Sequence, residues 1–109
     1  MARYLYLLDP TRPEMLTAGP TPHELATFAL HDAYLQRMAG EGTLLMAARA
    51  MGAAGGFGMG LVVAADDDAA RAIAAADPMV TEGVATARVY PFHLAYLAPA
   101  FAAEASAGA

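Results

Sequence analysis

Cysteine is absent from this chain of 109 residues, and so are lysine, asparagine and tryptophan. Without cysteine, neither a disulfide framework nor thiolate chemistry is available. The basic residues are six arginines against eleven acids, which gives a net charge of −5. Because an acidic domain without a basic run attracts neither nucleic acid nor an anionic membrane surface, we expect neither as a partner.

Large apolar side chains are also scarce, although 58% of the residues count as hydrophobic. Alanine supplies 29 residues, whereas leucine, isoleucine, valine and phenylalanine together supply 22. The longest uncharged segment, residues 50–65, is shorter than the roughly 20 apolar residues that span a bilayer. No basic segment precedes an apolar stretch as in a signal peptide, so we expect a cytoplasmic protein. One domain this poor in large apolar residues needs extra buried area, for which self-association is the obvious source.

The first half of the chain is typical of a strand, a loop, a helix and a second strand. Thr21, Pro22 and Glu24 form the pattern of a capping box, with proline at the first helical position. Glycine at position 40 is a typical helix end. The predicted elements are a strand at Arg3–Leu8, a proline-rich loop at 9–20, a helix from Pro22 to about Ala39, and a strand at Thr43–Arg49.

The second half predicts a hairpin, a helix, a strand and a tail. Asp66–Asp68 mark a helix start, because carboxylates stabilise a helix N-terminus. From Ala98 onward the composition is mostly alanine, which indicates a poorly ordered tail with Phe101 as its only anchor. The predicted elements are a glycine-rich hairpin connection at Gly52–Gly60, a strand at Met59–Ala64, a helix at Ala69–Ala76, a short turn or helix up to Gly83, and a strand at Ala85–Tyr90, so that residues 1–97 form one domain and residues 98–109 the tail.

The order βαββαβ predicts an α+β protein of ferredoxin-like architecture, in which both helices cover one face of a four-stranded antiparallel sheet. The uncovered face of such a sheet is normally polar. Here Leu5 and Leu7 alternate with Tyr4, Tyr6 and Leu8, so both faces are apolar. We therefore expect a homodimer in which the sheet of a second subunit covers the second face.

His31 is the first candidate for a functional residue. Helical spacing places it within the apolar stripe of the first helix, whose other members are Leu25, Phe28, Leu35, Met38 and Ala39. A half-buried histidine at such a place is either a structural hydrogen-bonding residue or a proton-transfer group. His23 lies eight residues earlier, so the two histidines do not form the pair spaced by four residues that binds a metal on one helix.

Asp77 is the second candidate. It follows a helix at the end where the helix dipole disfavours a carboxylate. Asp77-Pro78 either just ends the helix and starts a turn, or supplies a carboxylate that accepts a hydrogen bond from an imidazole and fixes its tautomer. Both readings are consistent with the sequence.

Arg49 and Tyr34 are candidates for substrate binding. Arg49 ends a strand in a chain whose strands carry few charges, so it could hold an anionic substrate or just pair with a surface acid. Tyr34 lies three residues after His31, although helical spacing turns it away from the centre of the apolar stripe. The glycines between 52 and 60 are not a phosphate loop, because they connect two strands and lack the lysine of that motif.

Several segments together resemble the YciI-like (YCII) family of small bacterial proteins, over about residues 3–97. The chain departs from the family at Ala48-Arg49, where many relatives have Gly-Arg. The segments that carry the resemblance are Arg3–Leu8, Met15–Pro22, His31 with Tyr34-Leu35, Gly42–Leu45 with Arg49, Ala75–Pro78, Gly83-Val84 and Pro91-Phe92.

The resemblance implies a ferredoxin-like fold that dimerises through its sheets as a dimeric α+β barrel. It also implies a site made of a histidine on the first helix and an aspartate before a proline after the second, which are His31 and Asp77 here. The resemblance does not indicate which reaction takes place at this site.

The leading hypothesis is an enzyme without cofactor or metal that acts on a small, possibly anionic, organic substrate. His31 would transfer a proton, Asp77 would orient it, and Arg49 and Tyr34 would bind the substrate, as in a lyase or isomerase. Two alternatives stay open: a module that binds a small molecule without catalysis, and a purely structural dimer in which His31 and Asp77 only satisfy each other.

Overall fold

The computed structural model describes residues 1–53 and 55–108, which form four strands, four α-helices and one 3-10 helix. The strands are β1 (Ala2–Pro10), β2 (Leu44–Gly52), β3 (Gly55–Ala64) and β4 (Ala85–Pro91). The α-helices are α1 (Pro22–Gly40), α2 (Asp67–Ala75), α3 (Pro78–Thr81) and α4 (Ala100–Gly108), and a 3-10 helix covers Pro13–Leu16 in the loop after β1.

The four strands form one sheet in the order β2-β3-β1-β4, with all neighbours antiparallel. The two strands of each βαβ unit are therefore separated by one strand of the other unit, as in the ferredoxin-like fold. The predicted α+β class is confirmed. Tyr4, Tyr6 and Leu8 on β1 point toward the helices and are buried. They form the core with small residues of α2, among them Ala70 and Ala74.

The glycine-rich stretch is mostly strand, whereas the sequence predicts a connection over Gly52–Gly60. β2 and β3 pair as far as Gly52 and Gly55, so among the described residues of the stretch only Ala53 lies outside the strands. The prediction is wrong because glycine is required here by close packing within the sheet. A Cβ atom on Gly56 would lie 2.4 Å from the carbonyl oxygen of Ala50.

Helix α1 begins with the predicted capping box. The Thr21 hydroxyl accepts the Glu24 N–H, and Glu24 accepts the Thr21 N–H at 2.8 Å. The predicted apolar stripe is wrong at Ala39, which is exposed, and at Leu25, which is 56% exposed. At Leu25 the reason is that Glu24 takes the buried position beside it. Glu24 binds Arg12 with both oxygens, at 2.9 and 2.6 Å.

Arg12 also donates to the Gly19 carbonyl at 2.8 Å, so the Arg12–Glu24 pair attaches the loop after β1 to the start of α1. This attachment fixes the position of the loop. The loop in turn places Met15 and Leu16 against the core on the helix-covered face of the sheet.

The centre of the opposite face of the sheet is apolar, as predicted, and no helix of the described residues covers it. Its border on the side of β4 carries the ion pair between Arg88 and Asp9. Leu5 and Leu7 on β1 are only half-buried, and so are their cross-strand partners Leu61 and Met59 on β3. Tyr90 on β4, opposite Leu5, is exposed. A single chain thus leaves this face open to solvent.

The predicted tail contains α4, where the sequence indicates no regular structure. The described side chains from His93 to Glu104 are all exposed, and Phe101, the expected anchor, is 50% exposed. The last residue, 109, lies outside the described residues. The division of the chain at residue 97 stays a prediction.

The Arg12–Glu24 pair predicts an acid-sensitive contribution to stability. The hydrogen bonds from Arg12 lower the pKa of Glu24 from 4.5 to about 2, so its contribution is present above pH 4.5 and disappears toward pH 2. We expect Glu24→Gln to lower the melting temperature at pH 7 and to lower it much less at pH 3, as measured by circular dichroism. The exposed Glu14→Gln is the control. An equal loss at both pH values would contradict the prediction.

Candidate functional site

Asp77 lies at the centre of the site, in the connection between α2 and α3, and its exposure is 0%. Its carboxylate is the N-terminal cap of α3 and accepts the Met79 N–H through Oδ1 at 2.9 Å. Pro78 follows at the first helical position, where its missing N–H costs nothing. Asp77 therefore does not oppose the dipole of α2, as its sequence position suggests, because it begins the next helix.

His31 approaches Asp77 from α1. Its Nδ1 lies 2.8 Å from Oδ1 and 3.0 Å from Oδ2 of the carboxylate. A carboxylate only accepts hydrogen bonds, so Nδ1 is the protonated nitrogen. The neutral ring then has its lone pair on Nε2, away from Asp77. The structure thus brings together the two residues that the sequence selects.

Tyr6 is the third member of this cluster and is not among the residues selected from the sequence. Its hydroxyl donates to Oδ2 of Asp77 at 2.9 Å, and its side chain is almost completely buried. Burial and the nearby charge of Asp77 raise the pKa of Tyr6 above its usual value, so the hydroxyl keeps its hydrogen. The sequence does contain a signal for Tyr6, because a tyrosine on the helix-facing side of a strand needs a polar partner in the core.

A cavity of about 430 Å³ opens beside His31 between α1, the loop after β1 and the β2–β3 hairpin. This volume is within the range of small-molecule sites. Tyr6 and His31 line it, and most of the remaining lining is apolar. Among its apolar residues are Leu8, Met15, Leu16, Phe28, Leu35 and Met79.

Arg49 lies at the border of this cavity on the edge strand β2. It pairs with Gly58 of β3, which in turn pairs with Leu8 of β1, so Arg49 is on the helix-covered side of the sheet. Gly58 has no side chain to separate Arg49 from Leu8. Arg49 is exposed and forms no ion pair with the residues that the structure describes.

Tyr34 is not brought to the cavity. Its hydroxyl donates to the Ile73 carbonyl of α2 at 2.8 Å, and the Arg37 guanidinium lies 5.1 Å from the centre of its ring. Both interactions direct Tyr34 toward the α1–α2 contact. The assignment of Tyr34 to substrate binding therefore has no support in this geometry, because its only polar atom is used within the fold.

Two residues weighed in the sequence also have local partners. Nε2 of His23 lies 3.0 Å from the Glu82 carbonyl oxygen. Asp32 lines the cavity border and accepts a hydrogen bond from Gln36. Within residues 1–53 and 55–108, no three histidine or acidic side chains are grouped as metal ligands, and no helix has the length and apolarity to cross a membrane.

The sequence profile of the YCII-related domain family matches residues 3–93. No curated protein matches the chain. Among solved structures, the chain is similar to TftG, the 5-chloro-2-hydroxyhydroquinone dehydrochlorinase from Burkholderia phenoliruptrix AC1100, in complex with 2,5-dihydroxybenzoquinone. The TM-score is 0.61 at 16% identity, over 83% of this chain and 93% of that one. It is also similar to SnoaB, a cofactor-independent oxygenase from Streptomyces nogalater, with a TM-score of 0.47 at 13% identity over 90% and 96% of the two chains.

The convergence of donors on Asp77 predicts a large loss of stability on its removal. Asp77→Ala leaves the Tyr6 hydroxyl, the Met79 N–H and the His31 Nδ1–H without their acceptor. We expect a loss of about 3 kcal/mol in the free energy of unfolding, measured with urea. Asp32→Ala, on the exposed side of α1, should cost less than about 0.5 kcal/mol. Equal unfolding midpoints for the two variants would contradict the arrangement described here.

Proposed function

The chain belongs to the YCII-related domain family, and we propose that it is an enzyme that transfers a proton on a small organic substrate without a cofactor. His31 acts as the general base and acid, Asp77 orients it, and Arg49 binds an anionic group of the substrate. The reaction class is that of a lyase or isomerase.

The observation that carries the proposal is the contact between His31 and the fully buried Asp77 at the border of a cavity. The hydrogen bond at Nδ1 leaves Nε2 free to take a proton from a molecule in the cavity. The imidazolium that forms is stabilised by the adjacent carboxylate, which is the role of the aspartate in a hydrolytic triad. A base held in this way typically contributes 10²- to 10⁴-fold to a rate.

The position of Arg49 favours a substrate with an anionic group at one end. Arg49 and Leu8 are two strands apart, so their backbones are separated by about 10 Å across the sheet. An arginine fork suits a carboxylate or a phenolate. We infer a small aromatic or 2-oxo acid whose anion contacts Arg49 and whose acidic C–H or O–H faces His31.

The similarity to TftG is consistent with this reaction class. A dehydrochlorinase removes a proton and a chloride ion from its substrate, and 2,5-dihydroxybenzoquinone is a small planar compound with acidic hydroxyl groups. A base in an apolar cavity serves such an elimination. At 16% identity, the similarity between the two chains establishes the fold, and the chemistry of this chain is proposed from its own residues.

We further propose that the protein is a homodimer whose subunits meet through the uncovered face of the sheet. Leu5, Leu7, Met59 and Leu61 form the centre of that face and are half-exposed in the single chain. Burying such a face contributes about 25 cal/mol per Å² of apolar area. The cytoplasmic location stays a prediction.

Deuterium exchange tests the proposed proton transfer most simply. Aromatic hydroxy acids and 2-oxo acids are incubated with the protein in D2O, and loss of the acidic C–H signal is followed by proton NMR. We expect the protein to catalyse exchange in at least one compound and His31→Ala to exchange it at least 100-fold more slowly. Arg49→Ala should raise KM for the anionic compound with a smaller effect on kcat.

Two matched variants serve as controls. His23→Ala removes a histidine on the same helix, and Arg37→Ala removes an arginine of that helix, both outside the cavity. Exchange that is equal in the wild type and His31→Ala would contradict the proposal. A compound that raises the melting temperature without exchange would support a binding module instead, since ligand at 100 times Kd stabilises by about 2.7 kcal/mol. A chain that binds none of them would favour the purely structural dimer.

The dimer is tested by mass. Light scattering at micromolar concentration should give twice the 11.2 kDa of one chain. Leu7→Arg places a charge in the centre of the uncovered face and should give a monomer of reduced stability, whereas Leu25→Arg, on the exposed side of α1, should remain a dimer. A stable wild-type monomer would contradict the proposed interface.

A further inference from the structure

We propose that Tyr6 and Gly60 are positioning residues that hold Asp77, and through it His31, in the orientation that proton transfer requires. The inference rests on the function proposed above. Neither residue is expected to transfer the proton itself. Tyr6 acts through its hydroxyl, and Gly60 acts through the space that it leaves for the Tyr6 ring.

The hydrogen bonds of Asp77 show why Tyr6 is needed. The Met79 N–H binds only Oδ1, and the Tyr6 hydroxyl binds only Oδ2. With one donor on each oxygen, the carboxylate cannot rotate about its Cβ–Cγ bond without losing a hydrogen bond. Nδ1 of His31 then faces both oxygens, at 2.8 and 3.0 Å. Without the Tyr6 hydroxyl, the orientation of Oδ2 depends on His31 alone.

The packing of Tyr6 shows why residue 60 is glycine. Gly60 is the partner of Tyr6 across β1 and β3. A Cβ atom at position 60 would lie 2.8 Å from Cε1 and 2.9 Å from Cζ of the Tyr6 ring. The ring is 1% exposed and its hydroxyl is bound to Asp77, so a shift away from the new Cβ atom would pull the hydroxyl from Oδ2 of Asp77. Gly60 does not have a positive φ, so close approach and not backbone conformation explains the glycine.

The same two strands contain a matched control for each residue. Tyr4 is buried on the same side of β1, and its hydroxyl donates to Asp67 at 2.9 Å, away from the site. Gly58 lies two residues before Gly60, where a Cβ atom would lie 3.7 Å from Leu8, which is an ordinary contact. Tyr4→Phe and Gly58→Ala therefore reproduce the chemical changes of Tyr6→Phe and Gly60→Ala without affecting Asp77.

The first readout is the exchange with water of the His31 Nδ1 proton, measured by NMR in protein labelled with ¹⁵N-histidine. We expect this proton to exchange about fivefold faster in Tyr6→Phe and Gly60→Ala, the factor that corresponds to one net hydrogen bond of about 1 kcal/mol. Tyr4→Phe and Gly58→Ala should exchange it as the wild type does, although Tyr4→Phe also loses a buried hydroxyl. Wild-type exchange in Tyr6→Phe would show that Tyr6 only fills space and would overturn the proposal.

Gly60→Ala has its own check in case it does not fold. Tyr6→Leu removes the ring atoms with which the new methyl group collides, so Gly60→Ala should lower the stability of the Tyr6→Leu protein far less than that of the wild type. If Gly60→Ala costs as much in the Tyr6→Leu protein as in the wild type, the Tyr6 ring is not the cause and the assignment of Gly60 is wrong.

The second readout separates this inference from the proposed function. With a compound that the wild type converts, Tyr6→Phe should lower kcat and leave KM unchanged, because Tyr6 orients the base and does not hold the anion. Tyr4→Phe should change neither constant. Faster Nδ1 proton exchange in a protein that converts no compound would support the positioning role and contradict the enzyme. Wild-type values of both readouts in Tyr6→Phe, with activity lost in His31→Ala, would contradict the positioning role alone.

Discussion

The charge of Asp77 is buried completely, and its hydrogen bonds connect most of the fold. An isolated carboxylate in an apolar core is too costly to persist, so it requires donors. They come from three elements: Tyr6 on β1, His31 on α1 and Met79 on α3. The sheet, the long helix and the short helix are thereby held in one relative position. The hydrogen bond from His31 that helps to stabilise this buried charge also orients the His31 ring toward the cavity.

The glycines of β3 supply the second constraint. Gly60 gives the Tyr6 ring room to lie against the sheet, and Gly58 leaves the sheet open between Leu8 and Arg49. The cavity consequently lies over the part of β3 where glycines face the helices and no side chains fill the space. In a chain with few large apolar residues, glycines thus leave the space for a cavity, and several of the leucines and methionines line that cavity or lie on the uncovered face of the sheet.

Local signals predicted much of this arrangement. The capping box at Thr21, the order of strands and helices, and the apolar character of both sheet faces all follow from neighbouring residues. The unusual positions of His31 and Asp77, together with the family resemblance, indicate these two residues as a site. What the sequence could not indicate depends on contacts between distant segments. Burial of Glu24 requires Arg12, and the use of the Tyr34 hydroxyl requires a carbonyl of α2. The glycine-rich stretch resembles a hairpin connection in sequence, because its need for glycine comes from the packing of β1 and β2 against it.

The proposed function requires that His31 and Arg49 contact one molecule in the cavity. A crystal structure of the protein with a small aromatic or 2-oxo acid tests it most directly. We expect the carboxylate to lie on the Arg49 guanidinium, an acidic C–H or O–H to lie within hydrogen-bonding reach of Nε2 of His31, and Nδ1 to remain on Asp77. An acid bound elsewhere, or a His31 ring that leaves Asp77 when the cavity is occupied, would contradict the proposed function.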